Sequence, residues 1–89
     1  MQAAPLLREL RLEGCRLARV PALAGCSALR LLSVRGNRLR DIAVGGALGL
    51  REIDGRDNAV KTAAGVRPLS AHPQLRKLWL WEGNPIGEL

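Results

Sequence analysis

His72 is the chain's one histidine and Cys15 and Cys26 its two cysteines, so acid–base, nucleophilic or metal chemistry would have to start from these residues. His72 stands beside Pro73, with no Ser or Cys at a motif spacing that signals a nucleophile for it to activate. Cys15, Cys26 and His72 also lack the paired spacing of metal ligands. Gly45-Gly46 is not followed by the Gly-Lys-Ser/Thr of a phosphate-cradling loop. These residues predict no enzyme, no metal site and no cofactor. What remains is recognition chemistry: two indoles, Trp79 and Trp81, and an excess of arginine.

Fourteen basic residues against eight acidic give a net charge of +6, and twelve of the fourteen are Arg. The planar guanidinium suits bidentate contact with carboxylates or phosphates, which points to acidic partners. GC-rich coding produces the same Arg-rich, Lys-poor balance. Tyr and Phe are absent, so the core must be aliphatic. A length of 89 residues lies near the lower limit for a self-sufficient core and predicts one domain over 1–89. Met1-Gln2-Ala3-Ala4-Pro5 has no charged region followed by a long apolar run, and no stretch approaches membrane-spanning length. The expectation is a soluble, cytoplasmic chain with no membrane contact, its cysteines reduced and packed as small hydrophobes.

The elements that position the Arg and Trp residues follow from a repeated frame. Leu7 to Cys15, Leu29 to Asn37 and Leu50 to Asn58 each read LxxLxLxx[N/C], with Ile53 and Gly55 at two of the third copy's Leu slots. A fourth copy opens at Leu75, with Leu78 and Leu80, and reaches Asn84. The starts are 22, 21 and 25 residues apart, a period typical of stacked repeats. Each LxL segment alternates as a strand does, which places strands at about Glu9 to Leu12, Leu31 to Val34, Glu52 to Asp54 and Lys77 to Leu80. Cys15, Asn37, Asn58 and Asn84 form the expected turn ladder, their side chains facing inward onto backbone groups.

Beyond the turns, Leu17, Val20, Leu23 and Cys26 recur at every third residue and predict a short helical or three-ten return. The second return carries Gly45 and Gly46, expected to loosen its middle. The third is lengthened by Ser70-Ala71-His72-Pro73-Gln74, read as a loop because Pro73 stops a helix. Two irregularities stand out. Gly55 occupies an inner Leu slot and predicts a void or a swerving strand. Trp81-Glu82-Gly83 puts one extra residue before Asn84 and predicts a bulged or shifted final turn.

The non-Leu strand positions form the exposed columns: Glu9, Leu31, Glu52 and Lys77; Arg11, Ser33, Asp54 and Trp79; Glu13, Arg35, Arg56 and Trp81. Partner binding is expected from Trp79, Trp81, Arg11, Arg35, Arg56, Asp54, Glu9 and Glu13. Leu78 and Leu80 take the inward side, so both indoles should stand outward as interface anchors. The second frame position is Arg in all four copies, Arg8, Arg30, Arg51 and Arg76. These predict a basic margin that docks an acidic tail or a nucleic-acid backbone, or one that is simply solvated or paired with acids such as Glu9 and Glu52.

With this frame, the chain resembles the short leucine-rich-repeat family of about 22 residues per unit, the class first described in a phosphatase regulatory subunit. The likeness runs from Leu6 to Ile86. Its closing segment, Leu75 to Ile86 with Asn84-Pro85, is similar to the LxxLxLxxNP ending of cilium- and centrosome-associated members, a dynein light chain and a spliceosomal ribonucleoprotein subunit. The resemblance implies an α/β leucine-rich-repeat solenoid of about four repeats. A parallel sheet would line its concave face, with short helices, three-ten turns or loops on the convex face. In the family a capping segment follows Asn-Pro, whereas this sequence stops at Gly87-Glu88-Leu89. An uncapped array or a fragment, unstable as an isolated monomer, is the expectation. The resemblance implies a protein-interaction or scaffold module among the protein subunits of a larger intracellular complex, cytoskeletal or ciliary. Two other readings stay open: a nuclear ribonucleoprotein component that contacts RNA or an RNA-binding partner, and a regulatory subunit of an enzyme such as a phosphatase.

Overall fold

A computed structural model describes residues 4–88. Residues 1–3, read above for a targeting signal, and Leu89 lie outside the described residues. Each repeated segment forms a short strand: β1 is Glu9–Arg11, β2 Leu31–Ser33, β3 Glu52–Asp54 and β4 Lys77–Trp79. The expected strands at Leu12, Val34 and Leu80 end one residue earlier, where the chain starts to turn. The ladder bonds still continue past the ends of β1 and β2, with Leu12 N donating to Ser33 O at 2.8 Å and Val34 N to Asp54 O at 2.9 Å.

The strands lie parallel in the order β1-β2-β3-β4. Leu10, Leu32, Ile53 and Leu78 stand side by side in one row, and Arg11, Ser33, Asp54 and Trp79 in another. Among the described residues the helical component of this α/β arrangement is three-ten only: Ala63–Gly65, Arg67–Ala71 and Pro85–Glu88.

The core sits in the second and third copies. Leu29, Leu32, Val34, Leu39, Ile42, Leu50, Ile53 and Val60 are all 0% exposed, each contributing about 1.5–3 kcal/mol by leaving water. Toward the ends the same column opens: Leu10 is half-buried and Leu78 is 36% exposed at the β4 edge. The void expected at Gly55 does not form. A Cβ placed there would meet Ile42 Cδ1 at 3.2 Å and Leu80 Cδ1 at 3.4 Å, so longer neighbours fill the gap and β3 keeps its register with β4.

The returns depart from expectation in three ways. The first is not helical: separate turns, Cys26 N to Leu23 O at 3.0 Å and Leu29 N to Cys26 O at 3.2 Å, bring each third residue inward. In the second, Gly46 tightens the structure. Leu23 and Gly46 form a parallel bridge, Gly46 has φ +77°, and a Cβ there would lie 2.5 Å from Ala24 Cα. Only glycine allows both the left-handed turn and that approach. In the third, Ser70 and Ala71 belong to the helix Arg67–Ala71, and the loop begins at His72. His72 is extended at φ −105°, ψ 92°, as a residue before proline must be.

Asn side chains tie consecutive copies together. Asn37 Oδ1 accepts from Cys15 N and Leu17 N, both at 3.0 Å, while its Nδ2 donates to Leu12 O at 2.8 Å and Val34 O at 2.7 Å. Asn58 repeats this between Leu39 N, Val34 O and Gly55 O, and Asn84 between Val60 N, Gly55 O and Leu80 O. Cys15 does not join the ladder as a donor to the core. It is exposed and its thiol reaches only the Glu13 carbonyl at 3.6 Å, because a thiol is a weak donor. The final turn is shifted: Asn84 bonds the carbonyl four residues back, where Asn37 and Asn58 bond the one three back. Before each ladder residue stands a left-handed residue, Gly14, Gly36, Asp57 and Gly83, with φ between 57° and 73°.

Candidate functional site

Period-two alternation along strands of three residues leaves their flanking positions, such as Arg11, Ser33, Asp54 and Trp79, on the outer face of the sheet. These four, with Leu31 and Arg56, line a shallow concavity of about 200 Å³. Ser33 is 1% exposed, and its Oγ has no hydrogen-bond partner among the described residues. A buried hydroxyl left unpaired costs about 1–3 kcal/mol.

Charge on this face is tightly organised. Arg56 grips Asp54 through Nε to Oδ1 at 2.9 Å and Nη2 to Oδ2 at 2.7 Å, and the Arg56 N–H donates to Oδ1 at 3.1 Å. Burial, the largest single influence on Asp54, pushes its pKa up. The hydrogen bonds from Arg56 and the charges of Arg56 and Arg35 together outweigh it, holding the carboxyl below its ordinary value of 3.8. The bond to Asp54 in turn raises Arg56 against the opposing desolvation. Arg35 pairs with Asp57 at 2.8 Å, and Arg11 lies 3.8 Å from Glu9. Glu13 is exposed with no ion pair among the described residues. Of the arginines expected to bind a partner, Arg35 and Arg56 thus hold their own face together, and Arg11 is the loosest.

The two indoles separate. Trp79 ends β4, is 39% exposed and carries the Lys77 ammonium 5.8 Å from its ring centre, a cation–π contact. Trp81, 61% exposed, lies beyond the strand in the shifted turn rather than on a continuing strand. The extra residue before Asn84 removes it from the alternation. Trp79 and Trp81 nevertheless border one concavity of about 250 Å³, with Leu78, Leu80, Glu82 and Arg56. Leu78, expected to be covered, adds its side chain to this apolar patch.

Backbone bonds hold the basic margin in register: Arg30 N to Arg8 O at 2.8 Å, Arg51 N to Arg30 O at 2.9 Å and Arg76 N to Arg51 O at 2.8 Å. Glu9 and Glu52 turn instead to Arg11 and Lys77. Arg30 folds back onto the Ser27 and Leu29 carbonyls across Gly49.

Sequence reasoning placed Leu31 in an exposed column but not among the binding residues, and it missed Asp57 and Glu82 as parts of the face. Asp57 had a signal, since it fills the slot that is Gly in the other copies. Cys15 and Cys26 are free thiols. His72 is buried, with Nε2 3.0 Å from Val44 O, and acts as a peg under the third return. No group of three or more His, Cys, Asp or Glu among the described residues could hold a metal ion. No helix among them is long and apolar enough to cross a membrane. Comparison with protein-family models, with curated proteins and with solved structures finds no match.

Proposed function

We propose that this chain is a leucine-rich-repeat solenoid of about four repeats, serving as a non-catalytic protein-interaction module in an intracellular complex. The outer face of the sheet is its binding surface. The observation that carries this reading is the exposed Trp79, Trp81 and Leu78 patch, continuous through Arg56 and Trp79 with the concavity over the unpaired Ser33 hydroxyl. Exposed indoles can each contribute about 2 kcal/mol when a partner buries them. The cations of the same face are already matched by carboxylates, which favours a neutral or mixed-charge protein surface there over a bare polyanion.

Selection of peptides from a random display library on the folded chain tests this. Bound peptides should shift the indole emission and lose about tenfold or more in affinity with Trp79→Ala or Trp81→Ala. Ligands that bind equally well to both variants, with unchanged emission, would place recognition elsewhere.

A further inference from the structure

The strand cations divide into two sets. On the outer face each has a carboxylate: Arg11 with Glu9 at 3.8 Å, Arg35 with Asp57 at 2.8 Å, Arg56 with Asp54 at 2.7 Å and Lys77 with Glu52 at 4.0 Å. The margin arginines have none; no ion pair among the described residues includes Arg8, Arg30, Arg51 or Arg76. Arg30 donates only to neutral carbonyls, at 3.3 and 3.2 Å, which leaves its charge uncompensated. The backbone ladder spaces these residues by about 4.8 Å, so the row spans about 14 Å. Like charges so close raise the energy of the folded state, and an anion laid along them lowers it.

Beside the row lies a concavity of about 310 Å³ lined by Arg8, Arg30 and Arg51, with Glu9, Leu31 and Glu52 completing it. Leu31 also borders the Trp79 concavity, so one ligand can run from the margin onto the sheet face.

We propose that the margin seats an extended acidic segment of a partner protein, lying across the strands with alternate Asp or Glu side chains on the guanidiniums. In an extended peptide alternate side chains share a face, and residues i, i+2 and i+4 span about 13 Å. Three such carboxylates therefore cover the length of the four-arginine row, each reaching a guanidinium or bridging two neighbours, and the arginine fork takes a carboxylate bidentately. A nucleic-acid strand fits less well. No aromatic residue lines this concavity to stack a base. The assignment rests on the sheet face being a protein-binding surface, and it names the chemistry of what binds beside that face.

Fluorescence anisotropy with the full chain tests it, using a labelled peptide with Glu at alternate positions, its Gln counterpart, and a single-stranded oligouridine of equal charge. The Glu peptide should bind and the Gln peptide should not. Replacing Arg8, Arg51 and Arg76 together by Gln should weaken binding by about tenfold or more, and Lys at the same positions should restore part of it. Added salt should weaken it further. The side chains are exposed and unpaired, so the triple Gln variant should melt no lower than its parent. Equal affinity of parent and triple Gln variant, or binding of oligouridine alone, overturns the acidic-segment assignment. If display-selected peptides still require Trp79 in that event, the sheet-face reading survives and only the margin's role falls. If they do not, both fall.

Discussion

Asp54 shows how a single side chain on the open face can serve the fold before any partner arrives. Its carboxyl accepts two bonds from the Arg56 side chain and one from its backbone, and it is held below its ordinary pKa of 3.8. A carboxyl depressed in the folded state stabilises it fully above the unfolded pKa and loses that contribution as pH falls through the folded value. The pair should therefore contribute throughout the neutral range and fade only below pH 3.8. Denaturant midpoints of the parent and Asp54→Asn should differ near neutrality and converge in acid. A gap of constant size down to the acid end would show that packing, not charge, sets the difference. The pairings that shape this face join residues of neighbouring copies, such as Arg35 and Asp57, 22 positions apart along the chain. Composition shows the charges, but only the stacking of copies shows which of them meet.

At the scale of elements, the strands were legible and the returns were not. Alternation within LxL, repeated at a near-constant period, placed all four strands and their register, and with it the arginine row. Apolar residues at every third position fit a three-ten helix and a chain of separate turns equally well, because both point every third side chain inward. The first return chose turns. Trp81 was misplaced because one inserted residue ended the strand alternation, although the insertion itself was visible before Asn84. Gly46 shows the same limit, for a close approach between two returns has no local signature. Gly46→Ala should cost about 2 kcal/mol or more, through a left-handed φ and contact with Ala24. Gly45→Ala, with nothing within 4 Å of its Cβ position, should stay within about 0.5 kcal/mol. Urea melts of the two variants check the contrast; equal losses would contradict the close approach.

The whole molecule is elongated, 38 × 26 × 16 Å, and its strands contact their chain neighbours in sequence. In the solenoid we propose, stability is close to a sum of neighbour interfaces. Burial therefore peaks in the middle copies and declines toward β1 and β4. Leu32→Ala should cost about 3 kcal/mol, whereas Leu10→Ala, in the same row but half-buried, should cost about 1 kcal/mol. Matching losses at the two positions, measured by chemical denaturation, would mean that β1 is covered as fully as β2. The four margin arginines add a long-range term across the stack, so moderate salt should raise the melting temperature by screening their repulsion.

The chain has no Tyr or Phe, and its two Trp residues fall within the last copy. Near-ultraviolet absorption and emission therefore sample one end of the stack, while amide circular dichroism samples all of it. A molecule that melts as a unit gives superimposable curves from the two signals. One that frays from the β4 edge gives an emission change that runs ahead, so this distribution of aromatics makes the chain its own reporter of where unfolding begins.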